Sequence, residues 1–177
     1  IYLYGAMSTP GPTMANNWNA GIGPLFYNTV EGNRIRETNQ GILVGVEDNP
    51  QAVRGADWPR ALGTVIRHNT MTQSRTDGLA VSAGAALPDD PADLGILGTL
   101  AEFNVVQDAP VGFEAGPRTV GTLFRRSHAY FWNWLPSAPP KAFSTTGARE
   151  AIGADNTVEG HDGGDDSRIG NDLTPGK

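Results

Sequence analysis

Two carboxylates are placed where they could do chemistry. Asp77 stands directly before Gly78-Leu79-Ala80-Val81, and Glu114 lies inside the related unit Gly112-Phe113-Glu114-Ala115. A carboxyl pair is the minimum equipment for glycoside hydrolysis: one group protonates the leaving oxygen and the other activates water or attacks the sugar carbon. An aspartate before a glycine is also an ordinary turn residue, so Asp77 carries both readings. A second set lies in Arg125-Arg126-Ser127-His128-Ala129-Tyr130-Phe131-Trp132-Asn133-Trp134. His128 and Tyr130 are two apart and share one face of a strand, expected to point outward with Arg34 and Arg36. A base and an acid beside a cation could remove the proton α to a uronate carboxyl group and stabilise the enolate. The same run also reads as an aromatic plug on the end of a stack of coils, or as a platform for sugar rings. His68 reads as structural, and His161 is assigned no role.

The elements that would hold these residues share one grammar. Asn28-Thr29-Val30, Gly63-Thr64-Val65, Gly98-Thr99-Leu100 and Gly121-Thr122-Leu123 each open a segment running to Asn33, Asn69, Asn104 or Ser127. The first three then reach Gly41-Ile42-Leu43-Val44, Gly78-Leu79-Ala80-Val81 and Gly112-Phe113-Glu114-Ala115. Such a unit cannot bury its apolar side alone, so neighbours must stack to do it. The spacing predicts steps of 35 residues from Thr29 to Thr64 and from Thr64 to Thr99, then 23 to Thr122. The two longer coils carry their extra residues at 45–60 and 84–95, after the Gly-apolar unit and among turn formers such as Asp48-Asn49-Pro50. Insertions at one corner of consecutive coils project from one edge, which often marks the binding face.

Anchored on the Asn positions, side chains alternate in and out. Val30, Ile66, Ala101 and Phe124 form one inward column, and Ile35, Met71, Val106 and Ala129 another. Glu31, Arg67, Glu102 and Arg125 form an outward column of alternating sign, the pattern that cross-strand pairing would produce. The stacked Asn side chains are expected to be scaffold. On the Gly-apolar strand Leu43, Ala80 and Glu114 face outward, with Gly45, Ser82 and Gly116 next along. This is a trough of small side chains walled by insertions that bear Asp48, Asp57, Trp58, Asp89 and Asp90. An elongated trough with an aromatic rim suits a sugar chain, whose C–H faces stack on Trp while its hydroxyls seek carboxylates and Arg. The candidate catalytic residues are Asp77, Glu114 and His128. The candidate substrate contacts are Arg75, Trp58, Arg126, Tyr130 and Trp132.

Ile66-Arg67-His68-Asn69-Thr70-Met71, followed by Asp77-Gly78-Leu79-Ala80-Val81, resembles the repeats of the right-handed parallel β-helix, or pectin-lyase-like, superfamily. That fold is shared by pectate lyases, polygalacturonases, other polysaccharide lyases and hydrolases, epimerases and phage tailspikes. The resemblance spans roughly residues 26 to 134 and implies a carbohydrate-facing protein, extracellular or at the cell surface. Thr76-Asp77-Gly78 is similar to part of the Asn-Thr-Asp motif of polygalacturonase-type hydrolases, with Arg75 where that motif has Asn. The later paired-Asp, Gly-His-Gly and Arg-Ile-Lys motifs do not appear in order, and Asp108-Ala109-Pro110 stands in the next coil. No clustered Asp set with an Arg base, as calcium-dependent pectate lyases need, is evident.

The expected fold is all-β, a right-handed parallel β-helix of about four to five coils. Residues 1–25 form an opening strand and long loop, and 26–135 the coils. Residues 136–177 form a degenerate last coil, suggested by Asn156-Thr157-Val158-Glu159-Gly160 repeating residues 28 to 32, and an acidic Gly/Asp-rich tail. The 23 Gly, 13 Pro and 18% charged residues suit a turn-rich β protein. With no cysteine there is neither a disulfide nor a thiolate metal site. The charge of −6 argues against nucleic acid as a partner, and no run of about 18 apolar residues would span a membrane. No cofactor is called for. His161-Asp162-Gly163-Gly164-Asp165-Asp166 offers carboxylates for calcium but lacks the spacing of a known loop. The chain looks as though it begins inside a coil. The expectation is therefore a fragment of a longer helix, a processed product, or a subunit that associates with copies of itself or with flanking coils. The function classes left open are a hydrolase or lyase acting on polysaccharide, a structural or adhesive stack, and a non-catalytic glycan-binding module.

Overall fold

In the computed structural model, residues 1–5, 25–46, 61–83, 95–132, 140–145, 147–160 and 170–172 are described. All regular structure among them is β-strand, arranged in four parallel sheets. Sheet I orders β1 (Tyr2–Gly5), β5 (Ile42–Val46), β9 (Asp77–Ser82), β13 (Val111–Ala115), β17 (Lys141–Ser144) and β20 (Gly170–Asp172). Sheet II orders β2 (Leu25–Phe26), β6 (Ala61–Leu62), β10 (Ile96–Leu97) and β14 (Thr119–Val120). Sheet III orders β3 (Thr29–Glu31), β7 (Val65–Arg67), β11 (Leu100–Glu102), β15 (Leu123–Arg125) and β18 (Ile152–Ala154). Sheet IV orders β4 (Arg34–Arg36), β8 (Thr70–Thr72), β12 (Val105–Gln107), β16 (His128–Phe131) and β19 (Thr157–Gly160). The chain visits the sheets in rotation, and each strand pairs with the one a circuit later. This arrangement is compatible with the stacked coils expected from the repeats.

Single left-handed residues turn the chain from sheet to sheet. Between sheets III and IV they are Gly32, His68, Phe103, Arg126 and Asp155, and between II and III Tyr27, Gly63, Gly98, Gly121 and Glu150, with φ from 48° to 71°. Side chains disfavour this conformation, but at most of these corners the amide still joins the ladder, as in Phe103 N to Arg125 O at 3.2 Å. Beside the first corner runs an amide ladder. Asn69 Oδ1 accepts from Asn33 N and Nδ2, Asn104 Oδ1 from Asn69 N and Nδ2, and Asn156 Oδ1 from Ser127 N. These bonds satisfy backbone groups that the turn leaves unpaired.

The core is a set of columns. Ile42, Leu79, Phe113 and Phe143 stand in register across sheet I. The rings of Phe113 and Phe143 stack at 4.9 Å, with Phe124 tilted against both. Both inward columns read from the sequence are present, Val30 to Phe124 in sheet III and Ile35 to Ala129 in sheet IV. The Gly-apolar unit now has a physical reason. A Cβ on Gly78 would run into the Val106 side chain, and one on Gly41 into Met71. Glycine and the following apolar residue therefore both face inward, the alternation breaks at that bend, and Asp77 is left on the outside.

Two readings of the repeat need correction. The amide ladder sets Asn33 and Asn69 36 residues apart, with 35, 23 and 29 for the later steps. Thr29 consequently lies opposite Val65 rather than Thr64, and the expected first step of 35 was one residue short. The five-letter identity of residues 28–32 with 156–160 is out of frame: Val30 pairs with Ile66 in sheet III, whereas Val158 pairs with Ala129 in sheet IV. Beyond the prolines, β17 resumes sheet I at Lys141.

Candidate functional site

The outer face of sheet I carries the first candidate set. Tyr2, Leu43, Ala80, Glu114 and Ser144 stand in one column, so the sequence register of Leu43, Ala80 and Glu114 is observed. Three residues earlier on the same strands, at the position before the glycine, lie Asp77, Val111 and Lys141. Gln40 precedes Gly41 in the same way, and its Nε2 donates to Asp77 Oδ2 at 2.9 Å. Asp77 is 9% exposed. Burial pushes the Glu114 carboxyl up from its ordinary range, the negative charge of Asp77 adds to the rise, and Lys141 opposes it. A carboxyl group whose proton is held more tightly than usual, with a second carboxyl on the neighbouring strand, is a pairing that acid–base chemistry can use.

Gln40 and Lys141 were not singled out from the sequence. The available signal was their position, since Gln40, Asp77 and Val111 each precede a Gly-apolar unit; Lys141 stands before Ala142, where glycine is replaced.

The second set is on sheet IV. Arg34, Thr70, Val105, His128 and Thr157 form one outward column, and Arg36, Thr72, Gln107, Tyr130 and Glu159 the next. The arginines thus share columns with His128 and Tyr130 but stand three strands away, about 14 Å, too far for a common site. The His128 ring lies flat on Tyr130, centroids 3.7 Å apart. Its Nε2 is 3.4 Å from Glu159 Oε1 but not aligned for a hydrogen bond, and it has no hydrogen-bond partner among the described residues. Burial pulls the His128 pKa down and Glu159 opposes this. The imidazole is therefore packed against the phenol, with its free nitrogen covered.

The remaining candidates scatter. Arg75 is exposed on the turn from sheet IV to sheet I, just before Asp77. Arg126 occupies a left-handed corner, its guanidinium 5.6 Å from the Phe103 ring centroid and its Nε 3.9 Å from Asp155. Phe103 in turn stacks on His68 at 5.0 Å, so His68, Phe103 and Arg126 form an exterior pile along that corner which the sequence reading did not foresee. Trp132 is 47% exposed, and its backbone N donates to Asp108 Oδ1 at 2.7 Å. Trp58, with most of the 45–60 and 84–95 insertions, lies outside the described residues, as do the tail carboxylates considered for calcium. Among the described residues no group of three or more His, Asp or Glu is placed to hold a metal ion. Comparison with protein-family models, with curated proteins and with solved structures finds no match for the chain.

Proposed function

We propose that the protein is a right-handed parallel β-helix that hydrolyses a polysaccharide on the outer face of sheet I, at the cell surface or outside the cell. The observation that carries this reading is the Glu114 carboxyl raised by burial and by the charge of Asp77 on the neighbouring strand. Glu114 serves as general acid and Asp77, held by Gln40, as the base that activates water. Lys141, on the next strand, gives a cation for a hydroxyl or carboxylate of the sugar. Asp77 lies opposite Val111 and Glu114 opposite Ala80, a stagger of three residues, or about 10 Å of strand rise. This spacing favours a single displacement with inversion over a double displacement, whose carboxyls stand about 5–5.5 Å apart. The rotation through four parallel sheets, the one-residue corners and the Asn ladder support the β-helix reading.

The test is to incubate the purified chain with neutral and uronic-acid polysaccharides and to read reducing ends, anomeric configuration and unsaturated-uronate absorbance together. Inverted product, with Glu114→Gln and Asp77→Asn each lowering the rate by roughly a hundredfold or more, is the expected result. Unsaturated product that survives Glu114→Gln but is lost in His128→Ala would move the chemistry to sheet IV as a lyase. Binding without any product would reduce the protein to a glycan-binding module.

A further inference from the structure

Sheets II and III turn an apolar strip outward at their shared corner. Leu62, Leu97 and Val120 stand in register across sheet II, and Val65, Leu100 and Leu123 across sheet III. All six alternate with buried residues and are themselves half-buried. Phe26 and Ile152 extend the two columns and are 39% and 57% exposed. Between the columns runs the left-handed corner. The Tyr27 ring lies over Gly63, where a Cβ would come within 2.7 Å of it. The following rungs are bare among the described residues: a Cβ on Gly98 would meet none of them within 4 Å, and one on Gly121 only the Gly98 backbone at 3.9 Å. A continuous apolar surface of this kind marks a contact face.

The charges beside the strip say what fits it. Glu31, Arg67, Glu102 and Arg125 run along sheet III in alternating sign. A column ordered minus, plus, minus, plus is complementary to its own reverse. With a two-fold axis between the second and third members, Glu31 meets Arg125 of a second copy and Arg67 meets Glu102. With the axis on Arg67 or Glu102 instead, like charges face each other. The favoured axis also sets the Tyr27 corner against Gly121 and Gly63 against Gly98, so the Tyr27 ring, lying over Gly63, faces the two bare rungs that have room for it. An axis between Glu31 and Arg67, or between Glu102 and Arg125, also matches opposite charges but overlaps only half of the column, so the full charge column and the ring-to-glycine matching together favour the central isologous arrangement.

We propose that the chain pairs with a second copy, side by side and antiparallel, through the strip formed by sheets II and III. The polysaccharide reading neither requires this dimer nor depends on it.

Sedimentation and light scattering over the micromolar range test it, with circular dichroism to confirm that each variant keeps its β content. The wild type is expected at twice the 18.7 kDa chain mass. Leu100→Lys, in the middle of the strip, should raise the dissociation constant roughly a hundredfold, and Tyr27→Ala roughly tenfold. Arg67→Glu should weaken the dimer, and Arg67→Glu combined with Glu102→Arg should restore it, because the swapped column remains complementary to its reverse. A monomer at every concentration overturns the proposal. So does a dimer indifferent to both Leu100→Lys and Tyr27→Ala, or a double swap no better than the single one.

Discussion

Gln40 Nε2 reaches from the turn before β5 to the Asp77 carboxylate at the start of β9, at 2.9 Å. The bond fixes an oxygen that alternation alone would not orient, because Asp77 sits at the bend where Gly78 breaks the strand pattern.

Replacing Gln40 by Ala is expected to lower kcat on the responding polysaccharide by about tenfold to a hundredfold with little change in KM, the signature of a misplaced reacting group. Steady-state kinetics with the reducing-end assay check this. An unchanged kcat would show that Asp77 needs no such support.

Glu114 should make stability depend on pH in an unusual direction for a carboxylate. Its native pKa is raised by burial and by Asp77 above the ordinary value of 4.5. Its contribution is therefore fully present below about pH 4.5 and lost as pH rises through the raised value. Glu114→Gln should melt higher than wild type near neutral pH, and the gap should close at about pH 4. Thermal melts across that range read the result, and a gap that widens on acidification would refute the assigned environment.

The Asn ladder should be strong in the middle and weak at its edge. Asn104 is fully buried, accepts from Asn69 N and Nδ2, and donates to Ile66 O at 2.8 Å. Asn104→Ala orphans these groups and should cost about 2–4 kcal/mol. Asn33, half-buried at the edge, should cost about 1 kcal/mol or less when replaced by Ala. Urea unfolding of the two variants tests the gradient, and equal losses would contradict it.

A second polar column behaves oppositely. Thr64, Thr99 and Thr122 are at most 1% exposed, and their hydroxyls have no hydrogen-bond partner among the described residues. Thr99→Val keeps the shape and removes an unpaired hydroxyl, so it should leave stability unchanged or raise it by up to about 1 kcal/mol. A clear loss in urea unfolding would mean that the hydroxyl is satisfied in solution.

The register was legible wherever a chemical ladder marked it. Asn33, Asn69, Asn104 and Ser127 located both inward columns and the alternating charges, with Arg67 to Glu31 at 2.9 Å and Arg125 to Glu102 at 2.7 Å. It was illegible where letters matched without a shared bond. Thr29 imitates Thr64, and residues 156–160 imitate 28–32, but hydrogen bonding puts each in a different place. The site was half legible for a related reason. Glu114 follows from alternation, whereas the outward turn of Asp77 depends on the collision that excludes a side chain at Gly78, a three-dimensional fact. The separation of Arg34 and Arg36 from His128 was equally hidden, since a shared column says nothing about how many strands intervene.

The connections from sheet I to sheet II differ greatly in length. Residues 6–24, 47–60 and 83–95 make the first three, and 116–118 the fourth. Across all of them the pairing of Leu25, Ala61, Ile96 and Thr119 keeps step without a slip. Pairing is thus decoupled from the number of residues spent at this corner. Evolution, or a protein engineer, can therefore write new sequence there as into a cassette, changing what the protein displays while every rung of the scaffold stays where it was.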